Sequence, residues 1–272
     1  MHADGRLATG NGRRLYERAT GHAAGLGPLW FVDAGRLFFA GQLTYNAMHQ
    51  HGAPVFLAGI YGPFRLRIHG SDWLSCRTAV IPAGVLHELD MRGEPLAVFY
   101  IEPSVDGADA LIPLMGDVCE VGGALVGRTG EFALVRELWE DSASARWTGE
   151  ALDDLLAFAR TRARRSVDPR IARIVDQLAR RHDERTPVRH LAADLGLSAS
   201  RFQHLFTQEV GVPFRRYRAW RRIRVAIGEV AAGSSFTQAA HAAGFADQAH
   251  FSRDFRRTFG APPSHSMLGV RR

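Results

Sequence analysis

The sequence predicts an α+β protein, with a strand-rich N-terminal half followed by a C-terminal half that is entirely helical. Between residues 15 and 103, short apolar runs alternate with Gly and Pro, which is typical of a β-sandwich or a small β-barrel. Helical periodicity begins near residue 131 and continues to the end. A chain of 272 residues has room for two domains. We place the boundary in the arginine-rich stretch 160–168, which gives predicted domains at 1–160 and 161–272.

The strand prediction depends on aromatic and aliphatic runs that are bounded by turn-forming residues. The stretch 29–45, LWFVDAGRLFFAGQLTY, mixes aromatic and aliphatic residues with frequent glycine. In the run FRLRIHG, Leu66 and Ile68 alternate with arginines, as a strand with one buried and one exposed face requires. Two amphipathic segments, 131–141 and 150–165, follow the strands and are predicted helices.

The C-terminal half contains a series of helix start signals. Asp168 precedes a proline, which places a capping residue before Pro at the first helical position, and Thr186 repeats this pattern. Ser198 and Asp247 are the predicted caps of two longer helices. The apolar faces of those two helices are Phe202, Leu205, Phe206 and Val210 in the first, and Phe251, Phe255 and Phe259 in the second.

Two of these segments form an internal repeat. At an offset of 49 residues, Phe202 aligns with Phe251 and Gly211 with Gly260. Each copy has a short apolar helix, a turn with Gly, a capped longer helix and a Gly stop, which is the order of a helix-turn-helix motif. The intervening segment 214–233 predicts a continuous helix of about 30 Å, close to the roughly 34 Å turn of B-DNA. Two recognition helices held that far apart could enter successive major grooves.

The charge distribution separates the two halves and excludes several classes of protein. Residues 1–160 hold 13 Arg and 19 acidic residues (−6), whereas residues 161–272 hold 21 Arg and 9 acidic residues (+12), so the second half is expected to contact a polyanion. The chain has no lysine, which excludes P-loop and Schiff-base chemistry. Its two cysteines form no CxxC pair, and no GxSxG motif occurs.

Residues 187–263 resemble the DNA-binding domain of the AraC/XylS family of bacterial transcription regulators. The resemblance is carried by HLAADLGLSASRFQHLFTQEVGVPFRRYRAWRRIRVA and by FTQAAHAAGFADQAHFSRDFRRTFGAPPSHS, in which the pattern GF.D..HFSR.FRR.FG.PPS is the most specific part. It implies two helix-turn-helix motifs, at about 187–210 and 235–259, and binding to double-stranded DNA.

The resemblance also implies which side chains read DNA. The base-facing positions are Ser200, Gln203 and His204, with Thr207 nearby, in the first recognition helix, and Gln248, Ala249, Ser252 and Arg253 in the second. Gln and Arg suit bidentate contacts to A and G, and an alanine methyl can contact thymine. The expected phosphate contacts are Arg201, Arg215, Arg216, Arg256 and Arg257.

In the N-terminal half, HQH at 49–51 and IPAGVLHEL at 81–89 resemble the two motifs of a cupin barrel. The matching residues are His49, His51 and His87, but the carboxylate that metal-binding cupins carry shortly after HxH is missing. Three histidines could form an open divalent-metal site, or they could be hydrogen-bonded groups in a ligand pocket or core. Aromatic content adds Trp30, Phe38 and Tyr45 as candidate pocket residues.

These patterns together predict a transcription regulator without enzymatic activity, in which a cupin-like barrel binds a small-molecule effector. From the resemblance, its expected partners are a second copy of the chain in a homodimer and RNA polymerase. The helices at 131–141 and 150–165 either form the dimer face or pack on their own barrel. The side chains concerned are Leu152, Leu155, Leu156 and Phe158.

Two other classes of function stay open in the sequence. One is a metal-dependent cupin enzyme or metal sensor attached to a DNA-binding domain, and the other is an architectural protein that binds DNA without sequence preference. The polar N-terminal stretch MHADGRLATGNGRR has no apolar signal core, and no run approaches the roughly 18 apolar residues of a membrane span. We therefore expect a cytoplasmic protein that does not contact a membrane.

Overall fold

A computed structural model describes residues 26–102, 108–130, 132–160, 167–180 and 186–271. Within these residues eleven strands form two antiparallel sheets, in the orders β1-β2-β9-β4-β7-β11-β10 and β3-β8-β5-β6, and no described strand pair joins the two. The N-terminal half is thus an open two-sheet sandwich and not a closed barrel. The strands are β1 (Leu29–Val32), β2 (Arg36–Gln42), β3 (Tyr45–His49), β4 (Val55–Gly59), β5 (Phe64–Ile68), β6 (Leu74–Cys76), β7 (Thr78–Ile81), β8 (His87–Asp90), β9 (Pro95–Ile101), β10 (Met115–Val121) and β11 (Ala124–Gly130).

The central strands of the seven-stranded sheet are buried on both faces, whereas the edge strand β10 is largely exposed. Strand β9 shows this clearly, because all seven of its residues are buried. Leu96, Val98 and Tyr100 belong to the core between the two sheets, whereas Ala97 and Phe99 belong to a second apolar cluster on the opposite face. Successive side chains of a strand point to opposite faces, so an apolar run without polar alternation indicates a layer on each side.

Nine helices lie in the described part of the chain, together with a 3₁₀ segment at Ala108–Leu114 and a second at Ser144–Arg146. None of them combines the length and apolar character needed to cross a bilayer. The helices are α1 (Ala133–Glu140), α2 (Thr148–Arg160), α3 (Pro169–Arg180), α4 (Val188–Ala193), α5 (Ala199–Val210), α6 (Phe214–Ala231), α7 (Phe236–Ala242), α8 (Gln248–Phe259) and α9 (Ser264–Met267).

Helices α1 and α2 cover the second face of the large sheet. Leu152 and Leu156 are buried in the same cluster as Phe38 and Phe99, and Leu155 packs against it. Of the two alternatives, the structure therefore shows packing on the chain's own sheet, and Leu152 and Leu156 are not free to form a dimer face. The side chain of Phe158 and most of the predicted boundary at 160–168 lie outside the described residues.

The core between the sheets continues into the helical half. Tyr100 of β9 packs at a tilt against Trp220 of α6 with ring centroids 4.8 Å apart, and Trp30 of β1 contacts Phe259 of α8 edge-on at 6.3 Å between centroids. The indole N–H of Trp30 also donates to the backbone carbonyl of Ser266 at 2.6 Å. One apolar cluster thus runs through both halves, and it fixes the helices on one end of the sandwich.

Three of the four predicted helix caps are confirmed. Carboxylate or hydroxyl oxygens of Asp168, Ser198 and Asp247 accept backbone N–H groups of the first helical turn, at 2.8, 3.2 and 2.6 Å. The prediction for Thr186 is wrong by one residue, because α4 begins at Val188 with Pro187 in the capping position.

Candidate functional site

The first candidate recognition helix, α5, has a buried face and an exposed polar face. Its N-terminus is capped by Ser198, and it ends at Gly211, whose φ of 86° is left-handed. The predicted apolar residues, Phe202, Leu205, Phe206 and Val210, are all buried. The predicted DNA-reading residues lie on the other face and are all exposed: Ser200, Arg201, Gln203, His204 and Thr207.

The second candidate recognition helix, α8, repeats this arrangement. It is capped by Asp247 and ends at Gly260, which has a φ of 74°. Phe251, Phe255 and Phe259 are buried, so the three phenylalanines hold the helix on the core. The amide oxygen of Gln248 accepts the hydroxyl of Thr237 at 2.9 Å, which fixes the orientation of this side chain. The predicted residues Gln248, Ala249, Arg253, Arg256 and Arg257 are exposed, and Ser252 is half-buried.

Helix α6 connects the two motifs as the sequence predicts. It has 18 residues, which corresponds to about 27 Å of helix. Arg215 and Arg216, two expected phosphate contacts, are exposed at its N-terminal end. Arg221 and Arg224 are instead buried, so part of the positive charge of this helix faces the protein interior.

A buried ionic network attaches α6 to the sandwich, and sequence reasoning missed it. Glu102, at the end of β9, pairs with the guanidinium of Arg224 and accepts the hydroxyl of Tyr217 at 2.7 Å. Arg224 also donates to the backbone carbonyls of Asp33 and Arg36 at 2.6 and 3.2 Å. Burial, and then the negative charge of Glu102, raise the pKa of Tyr217 well above its usual value. A signal was present, since Arg224 lies on the apolar stripe of α6.

The three histidines predicted from the HxH and PxGxxH motifs come together inside the sandwich. His49 ends β3, His51 follows it, and His87 begins β8. They are 2, 3 and 0 % exposed. Their rings lie 4.3–4.9 Å apart between centroids, and one nitrogen of each lies within 4.8 Å of the others. We call these three residues the histidine cluster.

Hydrogen bonds fix the tautomer of two members of the histidine cluster. The Nδ1 atoms of His49 and His87 lie 2.7 and 2.9 Å from the carbonyls of Ala47 and Val85. A carbonyl can only accept, so each Nδ1 carries a hydrogen, and in the neutral ring Nε2 then carries the lone pair. The Nε2 atom of His87 is buried and has no hydrogen-bond partner among the described residues.

The surroundings keep the histidine cluster neutral. Burial lowers the pKa of His87 to about 4, although the Val85 carbonyl opposes this. Burial, and then the neighbouring His87, lower the pKa of His49 well below 6.5. The pKa of His51 is lowered by burial, His49 and His87, and the carbonyl of Thr258 in α8 opposes part of the change. Three neutral imidazoles with available lone pairs are a donor set that suits Zn, Cu, Fe or Ni.

The cavity beside the histidine cluster is small and apolar, with a volume of about 30 Å³. It is lined by Trp30, as predicted, and by Tyr100, and the ends of α8 and α9 close it. The predictions for Phe38 and Tyr45 are wrong: Phe38 belongs to the outer cluster, and Tyr45 is 46 % exposed. The residues of the helical half that line the cavity are Phe255, Phe259, Ala261, His265 and Ser266.

A second, wider cavity of about 500 Å³ lies between the β1–β2 turn and α6. Asp33 and Val32 line it from the sandwich, and Arg224 and Glu229 line it from α6. Two residues of its wall, Asp33 and Arg224, are hydrogen-bonded to each other in the buried ionic network that attaches α6 to the sandwich.

The missing cupin carboxylate has no replacement in the described residues of the cluster. The only group of potential metal ligands found there consists of His49, His51 and His87. Two buried carboxylates nearby are already paired, Glu88 with Arg67 and Glu102 with Arg224. The residues present therefore fit a metal held by three nitrogens, with the remaining coordination positions open to other groups.

Part of the helical half is similar to known proteins. Residues 191–267 match the family described as a helix-turn-helix domain. The HTH-type transcriptional regulator RipA of Corynebacterium glutamicum is 36% identical over 102 residues, which are 37% of this chain and 31% of RipA. The chain therefore matches less than a third of the length of this curated relative.

Solved structures of ToxT from Vibrio cholerae share the fold over most of the chain. ToxT bound to an unsaturated fatty acid has a TM-score of 0.57 and 15% identity, and the match covers 88% of this chain and 98% of ToxT. ToxT bound to a methylnaphthalenyl butenoic acid has a TM-score of 0.56 and 13% identity, over 86% and 99% of the two chains. These matches show that the chain shares the fold of ToxT, and residues 191–267, which include α5 and α8, match a helix-turn-helix domain.

Proposed function

We propose that this protein is a sequence-specific DNA-binding transcriptional regulator, controlled by an effector that binds in its N-terminal half. One observation carries the proposal: two helices of a duplicated motif present exposed polar side chains while their phenylalanines anchor them on one core. Polar groups fixed on a rigid element can read base edges, and the arginines around them can contact phosphates. The relative RipA, itself a transcriptional regulator, supports the same function.

The proposal can be tested by selecting DNA fragments that the purified protein retains and then measuring affinity for the selected site. A regulator yields a preferred sequence, whereas an architectural protein yields none. Arg253→Ala is expected to weaken binding to that site by about 1–3 kcal/mol and to relax specificity at one position.

Arg257→Ala is the matched control, because its side chain is 81% exposed and it lies one turn further along the same helix. It is expected to weaken binding to all sequences alike and to reduce the slope of log affinity against log salt concentration by about one, the contribution of one phosphate contact. If Arg253→Ala also weakened every sequence equally, Arg253 would be a phosphate contact and not a base reader.

A homodimer and recruitment of RNA polymerase are part of the proposal, and they rest on the AraC-type domain. The structure restricts where a dimer face can lie. Leu152 and Leu156 are occupied by the chain's own sheet. A dimer face would therefore be formed by side chains other than these two, and light scattering of the full chain would test whether a dimer exists.

The second candidate function is a metal-dependent enzyme or a metal sensor, and the histidine cluster favours it. Organic ligands generally occupy pockets of about 300–1,000 Å³. The cavity beside the cluster measures about 30 Å³, which leaves no room for an organic substrate next to a metal. This observation supports regulation over catalysis. Fatty acid binding is a property of ToxT; an organic effector of this chain would fit the wider cavity of about 500 Å³ beside α6.

A further inference from the structure

The histidine-bearing segments of the sandwich are also the surface on which the second recognition helix ends. The backbone N–H of Ala47 donates to the carbonyl of Gly260 at 3.0 Å. The side-chain amide of Asn46 donates to the carbonyl of Phe259 at 2.7 Å. A Cβ atom built on Gly260 would lie 2.8 Å from Nδ1 of His49, so the end of α8 is in direct contact with the histidine cluster.

The first recognition helix ends on the other histidine-bearing segment. A Cβ built on Gly84 would lie 3.1 Å from the Val212 side chain, and one built on Gly211 would lie 3.4 Å from the Ala83 carbonyl. The N–H of Gly84 donates to the carbonyl of His51 at 3.0 Å, which ties this loop to the cluster. The two Gly stops that the repeat aligns therefore lie against the two segments that supply the histidines. We call these the docking contacts.

The size and chemistry of the cavity indicate its occupant. A volume of about 30 Å³ holds an ion or about two to three water molecules, since a water needs roughly 10–15 Å³ by this measure. His49 and His51 line this cavity, and the ring of His87 lies beside them, with its centroid 4.3 and 4.9 Å from theirs. The buried Nε2 atom of His87 has no hydrogen-bond partner among the described residues, which is costly. A cation bound by nitrogen lone pairs satisfies this atom, whereas an aliphatic ligand does not.

We propose that the histidine cluster binds a divalent transition-metal ion, and that the bound ion holds the ends of both recognition helices on the sandwich. The proposal rests on the proposed regulator function and identifies the effector as a metal ion. The ligand nitrogens lie up to 4.8 Å apart. Nitrogens bound to one zinc ion each lie about 2.0–2.1 Å from it, so loading draws the two histidine-bearing segments together. We expect the same movement to tighten the docking contacts, because the histidine-bearing segments also make those contacts.

Metal binding is tested on the full chain after treatment with a chelator. Co²⁺ and Zn²⁺ are added separately, with Mg²⁺ as the control ion, and binding is followed by calorimetry and by the visible absorption of Co²⁺. We expect one equivalent of Co²⁺ or Zn²⁺ to bind at micromolar concentration and Mg²⁺ not to bind, since imidazole suits the former ions. Absence of saturable binding to the wild-type chain overturns the proposal without requiring any variant.

The matched variants are His87→Ala and His69→Ala, since His69 is an exposed histidine in the same sandwich. His87→Ala is expected to weaken binding at least tenfold, a typical loss on removing part of a metal site. His69→Ala is expected to bind like the wild type. Circular dichroism shows whether each variant is folded, and equal binding by the two folded variants overturns the assignment.

The link to the recognition helices has its own readout, which is hydrogen exchange at the amide of Ala47. This amide donates to Gly260 across the docking contacts. Loading with Zn²⁺ is expected to slow its exchange at least fivefold, and unchanged exchange in a protein that binds Zn²⁺ overturns the link. Selection of a preferred DNA site by the metal-free protein would leave the regulator function standing even if both metal experiments failed.

Discussion

Gly260→Ala tests how strongly the end of α8 depends on its contact with the sandwich. Gly260 has a φ of 74°, and a left-handed residue with a Cβ costs about 1–2 kcal/mol. Its new methyl group would lie 2.8 Å from the Ala47 nitrogen and closer still to the Ala47 carbonyl oxygen. Both groups are backbone, so the docking contacts must separate.

The expected loss follows from the bonds at this position. Separation removes the hydrogen bonds of Ala47 and Asn46, each worth about 0.5–1.5 kcal/mol net. Added to the backbone cost, Gly260→Ala should destabilise the protein by about 2–5 kcal/mol. The assay is urea unfolding at equilibrium, followed by tryptophan fluorescence.

Gly244→Ala is the matched control. Its φ of 76° gives the same backbone cost, and nothing lies within 4 Å of its added Cβ. We expect it to lose only about 1–2 kcal/mol. Equal losses for the two variants would refute the reasoning, because the contact with Ala47 would then contribute nothing.

Three further predictions concern the buried groups of the sandwich and its covering helix. Glu102→Gln leaves Arg224 buried without a counter-charge and should cost about 3–5 kcal/mol in urea unfolding, whereas the exposed Glu120→Gln should stay within about 0.5 kcal/mol. With metal removed by a chelator, the free energy of unfolding should fall as the pH drops from 6.5 toward about 4, because His87 binds a proton in the unfolded chain but not in the folded one. Each such histidine contributes about 1.4 kcal/mol per pH unit. His87→Ala should therefore reduce the slope of stability against pH, and an unchanged slope would contradict the assignment. Leu156→Ala should cost about 2–5 kcal/mol and leave the mass measured by light scattering unchanged; a fall in mass would show that this residue lies in a subunit interface.

Features that depend on local sequence could be predicted from the sequence. Helix caps and Gly stops depend only on neighbouring residues. Ser198 and Asp247 accept backbone N–H groups in the first turn of their own helices, and Gly211 and Gly260 end those helices. The phenylalanines at helical spacing correctly predicted which face of α5 and α8 is buried. The histidine cluster was also predictable, because HxH and PxGxxH place their residues at defined points of adjacent strands β3 and β8.

Features that depend on distant residues could not be predicted in the same way. Glu102 and Arg224 are 122 positions apart. The position of Arg224 on the apolar stripe of α6 signals its burial, but the sequence does not identify Glu102 as its partner. The covering of the large sheet by α2 left a clearer signal in the sequence. Strand β9 has no polar alternation, so both of its faces had to be covered, and the adjacent amphipathic helices were the available layer.

Hydrogen exchange at the amide of Ala47 distinguishes the classes of effector that the two cavities could bind. A metal ion fits the cavity of about 30 Å³ as it stands, and by drawing the histidines together it slows exchange at this amide. An organic molecule in the same place must displace Phe259 and the end of α8, which breaks the bond to Gly260 and speeds exchange. An organic molecule in the wider cavity touches Asp33 and Arg224 but not β3, so it leaves exchange at Ala47 unchanged. Whether the effector slows, speeds or does not change hydrogen exchange at this amide therefore identifies both the cavity that is used and the kind of molecule that fills it.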